Sequence, residues 1–345
     1  MPQSVRQSIG PSHLIAILLT AGISPAAAQQ SETYRLAGAR VAIYNLVGSA
    51  RLEPGTGSDI VVEVRRGGAD AAKLSVRTPQ PSGGRSREML GIVYPEDDIV
   101  YEPLGRGSRT TVQVGDYGEF DDSNDDDEHD WEDRRVTITG DGDGLHAHAD
   151  LRILVPRGRD LKLHLAAGRV MVSNVKGTLK VETGAGEIEA TGVRGRLALA
   201  TGTGSVQASG FEGTELSIET GSGAVEASSL RGSDISVETG SGDISLAGVT
   251  APRLSLSTGS GSITSDLGAD TRDVSVETGS GNVTLRAAAS LSAQLDIETG
   301  SGGIESDFPV AVTRHANDHM EGRIGDGRGR ISVETGSGEV RLVRR

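Results

Sequence analysis

From Leu216 to Ala227 apolar and polar positions alternate with period two, and the phase flips in the middle. Leu216, Ile218 and Thr220 share one side; after Gly221-Ser222-Gly223 that side passes to Val225 and Ala227. This predicts two short strands joined by a tight bend. The bend glycines supply positive φ or let backbones approach where a Cβ would not fit. The same Thr-Gly-x-Gly element starts at Thr183, Thr201, Thr220, Thr239, Thr258, Thr278, Thr299 and Thr335, in steps of 18, 19, 19, 19, 20, 21 and 36. The last step is twice 18 and predicts a degenerate rung near Asn317-Asp318. One step back, Leu161 to Val170 aligns with Leu179 to Ile188, giving ten rungs from Leu165 to Thr335.

A rung orders about 19 residues at roughly 1–2 kcal/mol of backbone entropy each, against some five inward aliphatics at about 1.5–3 kcal/mol each. One rung therefore folds only when stacked on others. The near-constant interval predicts an all-β fold, a right-handed parallel β-solenoid (β-helix) of about 18–21-residue rungs. Equivalent residues stack about 4.8 Å apart, so ten rungs make a rod of roughly 48 Å. The alternative is an antiparallel β-meander of TGSG hairpins, whose loops would be free to vary in length.

Upstream the pattern is less regular. Val41-x-Ile43-x-Asn45-x-x-Gly48-x-Ala50-x-Leu52 obeys the rung grammar with Asn45 in the Thr position. Downstream of Leu52 it is interrupted twice, by a Pro/Gly/Ser/Arg loop from Thr78 to Arg87 and by an acidic tract from Asp121 to Asp133. Residues 29–150 thus read as an irregular β region of capping rungs with inserts, and 151–345 as the regular repeat. At the start, Arg6 precedes an apolar run from Leu14 to Ile23 and an Ala26-Ala27-Ala28 cleavage pattern, so residues 1–28 read as a signal peptide. The run is too short to span a bilayer, and no later segment is apolar enough. The expectation is an exported protein, periplasmic or extracellular at the cell surface, with no stable membrane insertion.

Composition narrows the picture. Aromatics make up 3% and glycines number 49, which suits a thin core of small and aliphatic side chains. A net charge of −14 disfavours nucleic acid and anionic membranes as partners. Cysteine is absent, which says little about compartment in a chain whose repeats supply the core.

Candidate chemistry is sparse. Glu182, Glu219, Glu238, Glu277, Glu298 and Glu334 precede the TG and point outward; Ala200 and Ser257 interrupt them, so the ladder is expected never to exceed two. Adjacent pairs repel by about 0.9 kcal/mol in water at 4.8 Å; such a pair could hold a divalent cation, but the interrupted column reads as a solvated acidic face. The tract Asp121 to Asp133 offers oxygen ligands to calcium but lacks the EF-hand mid-loop glycine, and reads as a self-repelling loop. His146 and His148 sit two apart in an expected strand without a third ligand; His164 takes a Glu position; His315 and His319 fall in the degenerate rung. All five read as ordinary surface histidines. The expectation is no catalytic, cofactor or metal residue, and Gly-x-Gly is bend chemistry because it recurs in every rung.

The opening VAIYNLVGSARLEP, the serial VETGSG rungs and the ending SDFPVAV to EGRIGDGRGRISVETGSGEVRL resemble the bacterial putative-adhesin family of β-strand-repeat domains of unknown function. The resemblance covers nearly all of the chain after residue 28 and implies a β-solenoid with an adhesin-like role; some relatives are associated with envelope stress. The acidic insert lies outside what it implies. Together these readings predict a non-catalytic binding or structural surface of the bacterial envelope, with a glycan or surface protein as partner. A polysaccharide-processing enzyme on a β-helix is the alternative, which rungs of 18 to 21 residues leave little loop length to build. End-to-end self-association through unpaired terminal strands is the third reading, with Arg344-Arg345 expected to discourage it at the C-terminal end.

Overall fold

The computed structural model describes residues 31–79, 87–120, 134–268, 270–316 and 318–345. The calcium reading of Asp121 to Asp133 and the signal-peptide reading of residues 1–28 lie outside the described residues. Thirty strands and two short 3-10 turns are present among them, 27 of the strands in one mostly parallel sheet and three in another.

Each regular rung gives one strand to each of two parallel ladders. In the first, Asp234–Thr239 lies between Glu212–Thr220 and Arg253–Thr258; in the second, Ile244–Thr250 lies between Val225–Arg231 and Ile263–Leu267. Like positions pair: Leu216 with Ile235, Ile235 with Leu254, and Leu254 with Val274. TGSG segments are therefore bends between parallel ladders and not hairpin turns. The change of step from 18 to 19 is absorbed by a bulge that skips Thr214 between Gly213 and Glu215.

The core is a narrow aliphatic column along the stack. Ile218, Val225, Ile235, Val237, Ile244 and Leu254 are almost wholly buried, as are Phe211, Leu230 and Val249. The rung threonines are buried with them, because their hydroxyls are satisfied. Thr239 Oγ1 donates to Gly223 O at 3.0 Å and accepts from Gly242 N at 3.1 Å. Thr258 repeats this with Gly242 O and Gly261 N. One hydroxyl thus closes its own bend and ties it to the previous rung. Asn45 takes this place at the N-terminal end, opposite Leu165, and its amide is held by Val47 O, Ala149 O and the Tyr94 hydroxyl.

At both ends the order in space departs from the order in sequence. Arg40–Val47 lies between Arg159–Ala167 and Glu88–Val93, and Ala50–Pro54 lies between Val170–Ser173 and His148–Val155. The first rung is thus covered by later segments. Position 150, where the pattern becomes regular, falls inside His148–Val155. Beyond it, Ile60–Gly67 and Ser31–Leu36 continue antiparallel. Asp98–Val100, Arg109–Val114 and Arg134–Thr139 form the small sheet, whose Ile99, Val136 and Ile138 join the same core.

At the other end the expected degenerate rung does not exist. Gly329–Thr335 inserts between Asp273–Thr278 and Ala293–Thr299, and Val340–Arg344 inserts between Val283–Ala287 and Ile304–Ser306. The segment between them is an antiparallel hairpin, Val310–His315 with His319–Ile324, laid against Ala293–Thr299. The 36-residue step is therefore an excursion that leaves the stack, caps it and returns one place inward. The expectation that Arg344-Arg345 guards the C-terminal end is corrected by the same fact: Arg345 donates to Leu267 O at 2.8 Å within the stack. The outermost strand is Val310–His315, where Val312 is 49% exposed.

Candidate functional site

The residue before each rung threonine defines an outward column whose members are neighbours by register. In space it runs Tyr44, His164, Glu182, Ala200, Glu219, Glu238, Ser257, Glu277, Glu334, Glu298 and His319. Chain order limited the glutamates to pairs. Insertion of the last rung instead sets Glu277, Glu334 and Glu298 side by side, three like charges in a row. A shallow groove runs along the other acidic stretch, over Glu182, Thr201, Glu219, Thr220 and Glu238. On the second ladder a similar groove presents Thr191, Gln207, Ser209, Glu226, Ser228 and Ser245. Along the first the outward groups are the carboxylates of Glu182, Glu219 and Glu238, the hydroxyls of Thr201 and Thr220 being turned into the bends; along the second, hydroxyls, one amide and carboxylates follow at the interval set by the rungs.

The N-terminal end of the column is dry. His164 is only 2% exposed; its ring stacks on Tyr44 with centroids 4.7 Å apart and meets Phe120 edge-on at 6.1 Å. Its Nδ1 lies 2.8 Å from Glu182 Oε2, and Lys180 Nζ lies 2.8 Å from Glu182 Oε1. The sequence reading of an ordinary surface histidine is corrected here: the irregular N-terminal region covers position 164, which a rung pattern alone places outside.

Burial alone would raise the Glu182 carboxyl, but the hydrogen bond and charge of His164, followed by those of Lys180, outweigh it and bring the group down to about 2. A folded value below the ordinary one near 4.5 contributes stability that is complete above pH 4.5 and is lost as pH falls towards 2. The full shift corresponds to about 3 kcal/mol. Glu182→Gln is expected to lower stability at pH 7 and to flatten the acid limb of a urea-melt series between pH 5 and about 2. Parallel acid limbs in the two proteins would contradict this.

The remaining histidines are dispersed. His146 and His148 stay apart from any third ligand among the described residues: the His146 amide donates to Asp70 Oδ2 at 3.0 Å, and His148 Nε2 lies 3.9 Å from Asp150 Oδ2. His315 ends the outermost strand. His319 sits on the facing strand of the hairpin, within reach of Asp296 and Glu321. Sequence reasoning did not join these three, because it placed His319 in a rung of its own. The alternations Asp296-x-Glu298 and His319-x-Glu321 were the visible signal, each putting two polar groups on one strand face.

Where the stack is interrupted by the inserted rung, a cleft of about 530 Å³ opens between Gly268, Arg272, Leu291, Ser292 and Arg328. It is bounded by the links that carry the chain past the insertion.

A family model described as Toastrack DUF4097 matches residues 151–343. A solved structure of a protein from Clostridium sporogenes, described as a putative cell adhesion protein, matches over 92% of this chain and 99% of its own, at 10% sequence identity and a TM-score of 0.20. That overlap is too loose to carry an argument. None of the curated proteins matches.

Proposed function

Because the chain belongs to the Toastrack DUF4097 family, we propose that it is an exported, non-catalytic β-solenoid whose stack winds right-handed and serves as an adhesin-like binding or structural surface of the bacterial envelope. The observation that carries this reading is the pair of outward grooves, one presenting Glu and the other Ser, Thr, Gln and Glu, each at rung spacing. Such an array offers many weak hydrogen bonds in one repeating geometry, which suits a glycan or an extended surface protein better than a small molecule. Export rests on the sequence reading of residues 1–28, and the winding on the handedness of parallel crossovers.

Polysaccharide processing is the reading to set against it. Incubating the purified protein with envelope and matrix polysaccharides separates the two. Retention on one or more of them without release of new reducing ends is the expected result, with binding weakened by Glu219→Gln combined with Glu238→Gln. Release of sugar ends, or retention on none of them, overturns the proposal. Self-assembly is a separate scaffold reading, favoured by the exposed edge at Val310–His315. Light scattering that finds a monomer at high concentration removes it.

A further inference from the structure

The C-terminal cap carries a group that the column alone does not explain. Ala293–Thr299 and His319–Ile324 are antiparallel, with Asp296 opposite Glu321 and Glu298 opposite His319. Partners across such a pair share a face, and diagonal neighbours are within reach of long side chains. Asp296, His319 and Glu321 accordingly bring one ligand atom each within 4.8 Å of one another. His319 Nε2 lies 3.1 Å from Glu321 Oε1 and 3.7 Å from Asp296 Oδ1.

We propose that Asp296, His319 and Glu321 form a divalent transition-metal site of the zinc type, which staples the terminal hairpin to the last parallel strand. Three features point there. One imidazole with two carboxylates is a donor set that zinc accepts, leaving a fourth position for water. Ligand bonds of about 2.0–2.2 Å in a tetrahedron place donor atoms about 3.4 Å apart, and the two distances to Nε2 fall on either side of that value. The arrangement is also incomplete without a cation. The ring has at most one hydrogen at Nε2 for two facing carboxylates, and Asp296 stands directly across from Glu321, a like-charge pair that a divalent ion would neutralise.

The surroundings agree. Glu298, Glu334 and Glu277 extend from His319 along the column and attract cations towards the site. The competing cation, Arg314, approaches Glu321 only to 3.9 Å and is 68% exposed, so little is lost when it moves away. Half-burial of His319, at 19% exposure, holds the ring in place on the sheet.

The test is calorimetric titration of the purified chain with zinc chloride, beside thermal melts with and without zinc. The expected result is a site of one equivalent and a rise in Tm with zinc. His319→Ala and Asp296→Asn, on different strands, each weaken uptake at least about tenfold and abolish the Tm rise. Glu334→Gln, outside the three ligands, leaves affinity within about twofold. Absence of zinc uptake by the unaltered chain overturns the proposal. So does uptake that survives both His319→Ala and Asp296→Asn, which would assign it to the acidic run Asp121 to Asp133 or to the glutamate column.

Discussion

Removal of residues 329–345 is expected to unfold the C-terminal end of the stack back to the Thr278 rung, and not to shorten it by one layer. In a repeat protein whose spatial order matched the chain, the last rung would be the cheapest to lose. Here Gly329–Thr335 is paired on both sides, with Asp273–Thr278 and with Ala293–Thr299, and Val340–Arg344 is likewise paired with Val283–Ala287 and Ile304–Ser306. Ile331, Val333, Val340 and Leu342 are each 0–2% exposed. At about 1.5–3 kcal/mol per side chain they represent some 6–12 kcal/mol of burial, on the scale of a whole domain's stability of about 5–15 kcal/mol. The residues beyond them lose the strands they pair with. To reach Asp273–Thr278, Ala293–Thr299 would have to cross the vacated layer and carry the terminal hairpin with it. Hydrogen exchange checks this directly: amides of Ala293–Thr299 and His319–Ile324 should lose at least about a hundredfold protection in the truncated chain, while Glu212–Thr220 keeps its own. Retained protection in Ala293–Thr299 would show that the rung closes the gap, and the expectation would fail.

The same insertion marks the limit of what the sequence makes legible. Period-two alternation places Leu216, Ile218 and Val225 inside, and the Thr-Gly-x-Gly interval sets the register, so that Thr220 faces Thr239 and Thr239 faces Thr258. Register is local information, carried by every rung. Neighbour order is not, because DVSVET of Asp273–Thr278, the ISVET of Gly329–Thr335 and the LDIET of Ala293–Thr299 present the same inward Val or Ile and the same Thr. Any of them can lie on any other, and what decides is whether the intervening links can span the gap. The 36-residue interval fits a missed rung as well as an excursion, and the pattern cannot separate them. The three-ligand cluster was hidden for that reason, since Asp296 and Glu321 meet only once the hairpin folds back. At the other end, the contact of Asn45 with Ala149 spans 104 residues, so the cover over His164 was equally illegible.

Gly242→Ala should be among the most damaging single substitutions that change no charge and remove no contact. Gly242 is buried, and a Cβ built on it would overlap the carbonyl oxygen of Gly223 in the preceding rung. Its φ lies outside the left-handed region, so the requirement is for close approach and not for an unusual backbone. Neither partner can yield. The Gly223 carbonyl accepts from Thr239 Oγ1 at 3.0 Å, and the Gly242 amide donates to that same hydroxyl at 3.1 Å. Relief of the overlap must therefore lengthen the bonds that close the bend and tie it to its neighbour, adding unsatisfied buried groups at about 1–3 kcal/mol each to about 1–3 kcal/mol of overpacking. A loss of about 3 kcal/mol or more is expected, read as a fall in urea midpoint. Ser241→Ala, one residue away at an exposed position, should stay within about 0.5 kcal/mol. Thr239→Val removes the hydroxyl while keeping the shape and should approach the cost of the glycine change, because it orphans the same carbonyl and amide. Equal midpoints for Gly242→Ala and Ser241→Ala would mean that the rungs stand farther apart than the threonine bonds require, and the stacking that defines this molecule would need another geometry.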